Sequence, residues 1–105
     1  MKAADIAKNM TVQTAAVAEA CKDAETHNYI VDCLLDMFGG NYGEIGAEDT
    51  ALNNEELESG EGRILARYKA KGKLTEDIYI IAYFSAAEPG NVDYNNTTAL
   101  YCSEY

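Results

Sequence analysis

The segment Ile78–Phe84, with the sequence IYIIAYF, places the strongest constraint on how this chain can fold. Its residues are β-branched, aromatic or small and apolar, which is typical of a β-strand. A strand turns alternate side chains to opposite faces, so its even-numbered residues face one way while Tyr79, Ile81 and Tyr83 face the other. Because both faces are apolar or aromatic, we predict that this segment is the central strand of a sheet.

Two further segments have strand character, one on each side of the central segment in sequence. They are Arg63–Lys69 (RILARYK) and Thr97–Ser103 (TTALYCS). Loops that contain Gly72 and Pro89 connect the three segments. The sequence therefore predicts a three-stranded antiparallel meander.

The first forty residues have helical character. Short helices are predicted at residues 3–9 and at Ala15–Cys21, followed by a longer helix that Asp23 or Thr26 can cap. Gly39-Gly40 ends the longer helix, because glycine accepts the left-handed conformation that follows a helix. Its apolar face, at helical spacing, contains Tyr29, Ile30, Cys33, Leu34, Met37 and Phe38.

A more polar helix is predicted at Ala47–Glu58, ahead of Gly60 and Gly62. Few apolar residues are available to pack it, Leu52 and Leu57 among them. Since the helices precede the strands, we predict a single α+β domain over residues 1–105, with N-terminal helices packed on one face of the three-stranded meander.

The net charge limits the partners of such a domain. The chain has 18 acidic and 8 basic residues and a formal net charge of −10. This charge opposes direct binding to nucleic acid or to an anionic membrane, and it favours basic protein surfaces. Residues 1–60 carry 12 acidic and 3 basic residues, whereas all five basic residues of the second half lie between Arg63 and Lys73, in what we call the basic ridge.

The cysteines indicate the compartment. Cys21, Cys33 and Cys102 are odd in number and have no C-x-x-C spacing, which argues against a disulfide framework or a zinc site. They fit a reducing cytoplasm. The chain shows no secretory signal and no run long enough to span a membrane, and we predict neither a metal nor another cofactor.

A calcium loop is the first chemical reading of the segment that begins at Asn91. Asn91, Asp93 and Asn95 occupy the first, third and fifth positions of such a loop. The sixth position requires glycine and holds Asn96, and the twelfth requires glutamate and holds Cys102. We therefore predict an ordinary turn.

The sequence gives equally little support for a catalytic site. The carboxylate pairs Glu48-Asp49 and Glu55-Glu56 are adjacent in sequence, so the two members of each pair point in different directions on a helix. His27, the one histidine, leaves a pairing with Cys21 or Cys102 open. We predict that the protein is not an enzyme, and we keep the cysteine–histidine pair as the weakest hypothesis.

The acidic residues around the polar helix are the first candidate binding site. Carboxylates spaced along a helix can imitate the charge of phosphates and accelerate association with a basic partner. A solvated helix face is the alternative explanation. The candidate partner-binding residues are Glu44, Glu48, Asp49, Glu55, Glu56 and Glu58.

The tyrosines give a second candidate. The chain has eight tyrosines and no tryptophan. Aromatic residues on a sheet beside basic residues resemble a platform for single-stranded nucleic acid. This alternative nucleic-acid face would consist of Arg67, Lys69, Tyr79 and Tyr83, with Lys71 of the basic ridge beside it.

A series of short motifs follows Gly40. They are Gly40-Asn41-Tyr42-Gly43, Glu48-Asp49 with Asn53 and Leu57, Arg63-Ile64 with Tyr68, Ile78-Tyr79-Ile80-Ile81, and Thr97-Thr98 with Leu100 and Glu104-Tyr105. In order and spacing they resemble a phage- and plasmid-associated family of small uncharacterised proteins of gut Firmicutes. The pattern of that family is G-D-W-G, E-D-x-x-x-N-x-x-x-L, R-I-x-x-x-Y, I-W-I-I-T and T-T-x-L-x-x-x-E-Y.

This chain departs from the pattern at Asn41 and Tyr42, where the family has Asp and Trp. A contact that depends on those two residues is therefore in doubt here. The resemblance implies a mobile-element context and an α+β fold, and it implies no activity.

Together these observations predict a non-enzymatic, acidic protein-interaction module of a mobile element, acting on a basic host protein. An anti-defence inhibitor, directed against a CRISPR or restriction system, is the sharpest form of this hypothesis. Single-stranded nucleic-acid binding is the alternative. An exposed edge of the sheet would also allow a homodimer to form by strand pairing.

Overall fold

A computed structural model describes residues 1–105, and a four-stranded mixed sheet forms its centre. The strands are β1 (Met10–Gln13), β2 (Glu61–Tyr68), β3 (Ile78–Ser85) and β4 (Asn96–Tyr101), in the order β1-β4-β3-β2. β3 is antiparallel to both of its neighbours, and β1 is parallel to β4. The predicted α+β class is confirmed, and so is the interior position of the IYIIAYF strand.

Three α-helices accompany the sheet: α1 (Ala15–Ala20), α2 (Ala24–Phe38) and α3 (Ala47–Ser59). Two 3₁₀ helices lie at Ala3–Lys8 and Cys102–Glu104. The second of these replaces the last residues of the predicted third strand, so the sheet ends at Tyr101 rather than at Ser103. None of the helices is long and apolar enough to cross a membrane.

The three predicted strands form the antiparallel meander β2-β3-β4, but the prediction is incomplete, because β1 adds a fourth strand that is parallel to β4. The segment MTVQ is only four residues long, which is too short to show a period-2 pattern. It is held in the sheet by β4, and the ladder continues beyond its end, where the Thr14 N–H donates to the Ala99 carbonyl over 3.1 Å. A pairing between segments so far apart in sequence has no local signal.

The hydrophobic core lies between α2 and one face of the sheet. The even-numbered residues of β3 are buried there, with Ile78, Ile80 and Ala82 each 0% exposed. α2 contributes Ile30 and Met37 from its predicted apolar face. The alternation predicted for β3 is therefore confirmed on this side.

Both ends of α2 follow the sequence prediction. The Asp23 side chain caps the helix by accepting hydrogen bonds from the Thr26 N–H at 3.1 Å and from the Thr26 hydroxyl at 2.8 Å. These hydrogen bonds hold the pKa of Asp23 below its usual value. Thr26 Oγ1 also accepts from the Lys73 N–H at 2.8 Å, which ties the β2–β3 loop to the start of the helix. The helix ends at Phe38, ahead of Gly39-Gly40.

The outer edge of β2 is covered. The buried Asn53 amide of α3 donates to the Leu65 carbonyl at 2.8 Å and accepts from the Leu65 N–H at 3.0 Å. Two residues further along, the Arg67 N–H donates to the Tyr42 carbonyl at 3.0 Å, and the Glu44 N–H donates to the Arg67 carbonyl at 2.6 Å. Helix and turn thus satisfy backbone groups that an edge strand would otherwise offer to another chain.

Candidate functional site

The second face of the sheet carries no α-helix. The strand residues of the hydrophobic core all lie on the first face. The side chains of the second face are covered only in part, by the residues that follow β4. We call this surface the open face. It consists of Arg63, Leu65 and Arg67 of β2, Tyr79, Ile81 and Tyr83 of β3, Asn96, Thr98 and Leu100 of β4, Met10 and Val12 of β1, and Tyr105.

The strand register arranges these side chains in rows across the sheet. Arg63 lies opposite Tyr83, and Arg67 lies opposite Tyr79. Cross-strand neighbours of this kind are close enough for their side chains to touch. The register therefore places a guanidinium beside an aromatic ring at both ends of the β2–β3 half of the open face, with Leu65 opposite Ile81 between them.

The opposite half is more apolar and more exposed. Met10 is 53% exposed and Val12 43%, although both belong to a strand. Tyr83 of β3, which lies in the same row as Asn96 and Met10, is 47% exposed. Large apolar side chains that share one surface and remain accessible are typical of an interaction site.

Tyr105 folds back over the open face and links its two arginines. The guanidinium carbon of Arg63 lies 5.6 Å from the centre of the Tyr105 ring. That ring packs edge-on against Tyr79 at 5.3 Å between centroids, and Arg67 lies 5.8 Å from the Tyr79 ring. These distances are within the range of cation–π and aromatic-pair contacts.

The two arginines differ in how their charge is balanced. Arg67 pairs with Asp77 at 3.1 Å, and the hydrogen bond to Asp77 raises the pKa of Arg67. The pKa of Asp77 is lowered mainly by the hydrogen bond that it accepts from the Ala70 N–H, and also by the hydrogen bond from Arg67. Arg63 has no such partner, and its Nη1 is buried without a hydrogen bond. Arg63 is thus the guanidinium of this surface whose charge has no carboxylate partner.

A small cavity of about 100 Å³ joins Arg63 to the acidic helix. Its lining includes Asp49, Leu52 and Glu56 of α3 together with Arg63 and Leu65 of the open face. The acidic helix and the open face are therefore neighbouring parts of one surface.

The six predicted partner-binding carboxylates do not form a single patch. Asp49 and Glu56 line the cavity beside Arg63, with the Glu56 carboxylate packed against Gly62 at the start of β2. Glu48 and Glu55, seven residues apart, share the outward side of α3. The two remaining residues lie elsewhere. Glu58 borders a shallow groove beside Phe38 and Tyr42, and Glu44 lies in the preceding turn, 3.8 Å from the Lys69 ammonium. The buried residues of α3 are Asn53 and Leu57, so the helix also has a structural role.

The predicted nucleic-acid face is brought together only in part. Arg67 contacts Tyr79, and Tyr83 lies on the same face. Lys69 follows the end of β2 and faces Glu44, and Lys71 lies 5.4 Å from the ring of Tyr29 on α2. The basic ridge is therefore spread over several surfaces.

The sequence pointed to Arg63 only as part of the basic ridge, and it assigned Tyr105, Met10 and Val12 to no site. The spacing of Arg63 and Arg67 places them on one face of a strand, so Arg63 had a usable signal. Tyr105 and the two β1 residues had none, because they reach the open face only through the turn after β4 and through the parallel pairing of β1.

The segment 91–95 forms a turn with its own side chains. Asn91 Oδ1 accepts from the Asp93 N–H at 3.0 Å, and Asn95 Oδ1 accepts from the Ser85 N–H at 3.0 Å. The asparagine oxygens thus serve the loop, as predicted. No group of three or more histidine, cysteine or acidic side chains in the chain is arranged to hold a metal ion.

The cysteines and His27 are not assembled into a nucleophilic site. Exposed on α2, His27 makes no hydrogen bond with a thiol, and the Cys21 sulfur accepts from Gln13 at 3.5 Å. Burial raises the pKa of Cys33 to about 11, and it also raises the pKa of Cys21 and Cys102. This arrangement gives no support to the cysteine–histidine hypothesis.

We expect all three thiols to react more slowly with a thiol reagent at neutral pH than a free cysteine does. Only the thiolate reacts, and a raised pKa leaves less thiolate at that pH. The rates should rise with pH toward the raised pKa values, with Cys33 slowest. Mass-resolved labelling measures each site separately; fast reaction of one cysteine, reduced in His27→Gln, would revive the catalytic hypothesis.

Comparisons with protein-family models, with curated proteins and with solved structures found no match to this chain. The class of protein is therefore described by its architecture alone. It is a small α+β protein with one open sheet face, bordered on one side by an acidic helix.

Proposed function

We propose that this chain is a non-enzymatic protein-interaction module that binds a basic protein surface. The observation that carries the proposal is the open face, on which Tyr83, Tyr105 and Met10 remain largely exposed. Tyrosine, arginine and methionine are enriched in protein interfaces, and tyrosine and arginine dominate their binding energy.

The charge around the open face supports a basic partner. Asp49 and Glu56 border it through the cavity next to Arg63, and the chain as a whole has a net charge of −10. A partner with an apolar centre and a rim of lysines or arginines would be complementary, and the charges would accelerate association. The proposed site is thus the open face with two of the six predicted carboxylates, rather than the acidic helix alone.

The resemblance to a mobile-element family extends the proposal. Basic protein surfaces often belong to machinery that handles nucleic acids, and such machinery includes host defence systems. In this form the chain acts in the cytoplasm, where its three cysteines remain reduced, and it inhibits a defence protein by occupying its nucleic-acid site.

Single-stranded nucleic-acid binding is the second candidate. The contacts of Arg67 with Tyr79 and of Arg63 with Tyr105 favour it, because guanidinium and aromatic groups both stack on bases. Against it stand the pairing of Arg67 with Asp77 and the net negative charge. It predicts affinity for a mixed-sequence oligonucleotide that falls steeply with salt.

The experiment starts with capture from a nuclease-treated host extract at low and high salt, followed by affinity measurements with the purified captured protein. We expect Tyr83→Ala to weaken binding by about tenfold or more, because Tyr83 is an exposed aromatic that lies between Arg63 and Asn96 in the row that ends at Met10. The double variant Asp49→Lys with Glu56→Lys should also bind the partner more weakly than the wild type, and its binding should depend less on salt.

A matched control separates a local effect from a change in total charge. Glu25→Lys with Asp32→Lys makes the same charge change at two exposed positions of α2 and should leave the affinity nearly unchanged. Equal losses in both double variants, or full binding by a folded Tyr83→Ala variant, would contradict the proposed site. Binding of a single-stranded oligonucleotide at low salt, lost in Tyr79→Ala, would favour the second candidate.

A further inference from the structure

The two edges of the sheet are treated differently by the fold. Helix α3 and the turn before it cover β2, whereas β1 at the opposite edge has a free outer side. The Thr14 N–H donates to the Ala99 carbonyl, and in this register the backbone groups of Met10 and Val12 also point toward β4. Those of Thr11 and Gln13 therefore point outward, and they have no hydrogen-bond partner.

Apart from its short length, β1 has none of the usual protections of an edge strand. Natural edges are commonly kept short, or are blocked by a charged residue, a proline, a bulge or a covering element. β1 reads MTVQ, with no charge and no proline, and it pairs regularly with β4 over its whole length. Since α3 and the turn before it cover the β2 edge, β1 is the edge of this sheet to which another strand can be added.

The local charge indicates which occupant fits. Residues 1–18 contain Lys2, Lys8 and Asp5, a net charge of +1, while residues 19–105 carry −11. Two copies of an acidic chain repel each other on most approaches. β1 itself carries no charge; Lys8 precedes it, and the Glu104 carboxylate accepts from the Thr14 hydroxyl at 2.8 Å just beyond its end, so the charges next to this edge nearly balance.

We propose that two copies of this chain pair through β1, antiparallel, to form one continuous eight-stranded sheet. With Val12 on the two-fold axis, Thr11 of each copy exchanges both backbone hydrogen bonds with Gln13 of the other. This register uses all four outward-pointing groups of each strand edge and places the two Val12 side chains side by side.

The pairing has a geometric consequence. The two-fold axis is perpendicular to the sheet, so the open faces of both copies lie on the same side, with Met10 and Val12 at the centre. Four hydrogen bonds and a small apolar contact make a modest interface, so the dimer is expected to depend on protein concentration. The inference does not require the proposed function, because it concerns the edge of the sheet and not its face.

Sedimentation equilibrium of the purified chain over a wide concentration range tests the pairing. The wild-type chain should show a monomer–dimer equilibrium, and Thr11→Pro should weaken association by about tenfold or more. Proline removes an outward N–H without removing a hydrogen bond to β4, so the melting temperature should change little. Thr11→Val, which keeps the N–H, is the control and should dimerise like the wild type.

A second measurement tests the register. Val12→Cys should form a disulfide-linked dimer under mild oxidation, because directly opposed residues of this kind approach closely. Thr11→Cys, whose side chain lies on the other face, should cross-link much less above the background of the native cysteines. A wild-type chain that remains monomeric at every concentration, or a Thr11→Pro variant that dimerises normally, would overturn the proposal.

Discussion

Replacing Gly43 by alanine is expected to lower the free energy of unfolding by about 3 kcal/mol, the largest effect we expect from a single methyl group in this chain. Gly43 has φ of +71°, in the left-handed region that costs other residues about 1–2 kcal/mol. An added Cβ would also collide with the Arg67 carbonyl oxygen and lie 2.8 Å from the Tyr68 ring.

The collision matters because Gly43 runs directly alongside β2. The Tyr42 carbonyl and the Glu44 N–H, on either side of it, both hydrogen-bond to Arg67. Moving the turn outward to accommodate a Cβ would lengthen or break these two hydrogen bonds, each worth about 1 kcal/mol. The turn would then release the outer edge of β2.

Gly40→Ala is the matched control for this prediction. Gly40 lies three residues earlier, in the turn that ends α2, with φ of +87°, but a Cβ there would have no neighbour within 4 Å. It should therefore cost only the conformational penalty of about 1–2 kcal/mol. Chemical denaturation of both variants measures the difference, and equal losses of stability would show that the contact with β2 is not what requires glycine.

Asn53→Ala is expected to cost about 2–4 kcal/mol of unfolding free energy. The change removes two hydrogen bonds and leaves the N–H and carbonyl of Leu65 without partners beneath helix α3. The exposed neighbour Asn54 provides a control, since Asn54→Ala should change stability by less than about 0.5 kcal/mol. Similar losses in the two variants would mean that the Asn53 amide is not essential.

Asn53→Asp tests the same hydrogen bonds in another way, because the stability of this variant should depend on pH. A protonated carboxyl group can donate a hydrogen bond to the Leu65 carbonyl as the amide does, whereas a carboxylate has no hydrogen to donate. The charged carboxylate would also be partly buried, which is unfavourable. The pKa of the new group should therefore be higher in the folded state than in the unfolded state. The folded state then binds more protons, so stability relative to the wild type falls as the pH rises through that range. Urea denaturation of this variant near pH 4 and pH 7 checks the sign.

The structural roles of Gly43 and Asn53 account for part of the motif series in the sequence. Asn53 and Leu57 are the buried residues of α3, and Gly43 closes the turn against β2. Asn41 Oδ1 accepts from the Gly43 N–H at 3.1 Å, a hydrogen bond that an aspartate would accept equally well. The departures at Asn41 and at the buried Tyr42 thus fall on residues that build the turn, and the mobile-element resemblance itself stays a prediction.

Local patterns predicted most of the secondary structure. α2 and its cap at Asp23 follow from apolar spacing and a carboxylate at the right position, and β3 follows from seven consecutive strand-forming residues. Strand β1 was missed because four residues are too few to show a period-2 pattern. Without β1, the parallel pairing that makes the sheet mixed was missed as well. The candidate site was predicted in part: Tyr79, Tyr83 and Arg67 share a face, while five of the six carboxylates are divided around the circumference of α3 and Glu44 lies in the turn before it.

By itself the sequence determined the α+β class, the alternation of β3, the limits of α2 and the acidic charge, because each depends on residues close together in the chain. The tertiary structure alone decided that β1 joins the sheet, that Tyr105 covers Tyr79, and that one edge is closed while the other is open. Those features depend on contacts between distant segments, such as Met10 with Asn96 and Asn53 with Leu65. The composition of either segment carries no record of such a pairing, since its energy arises only when the chain brings the two together.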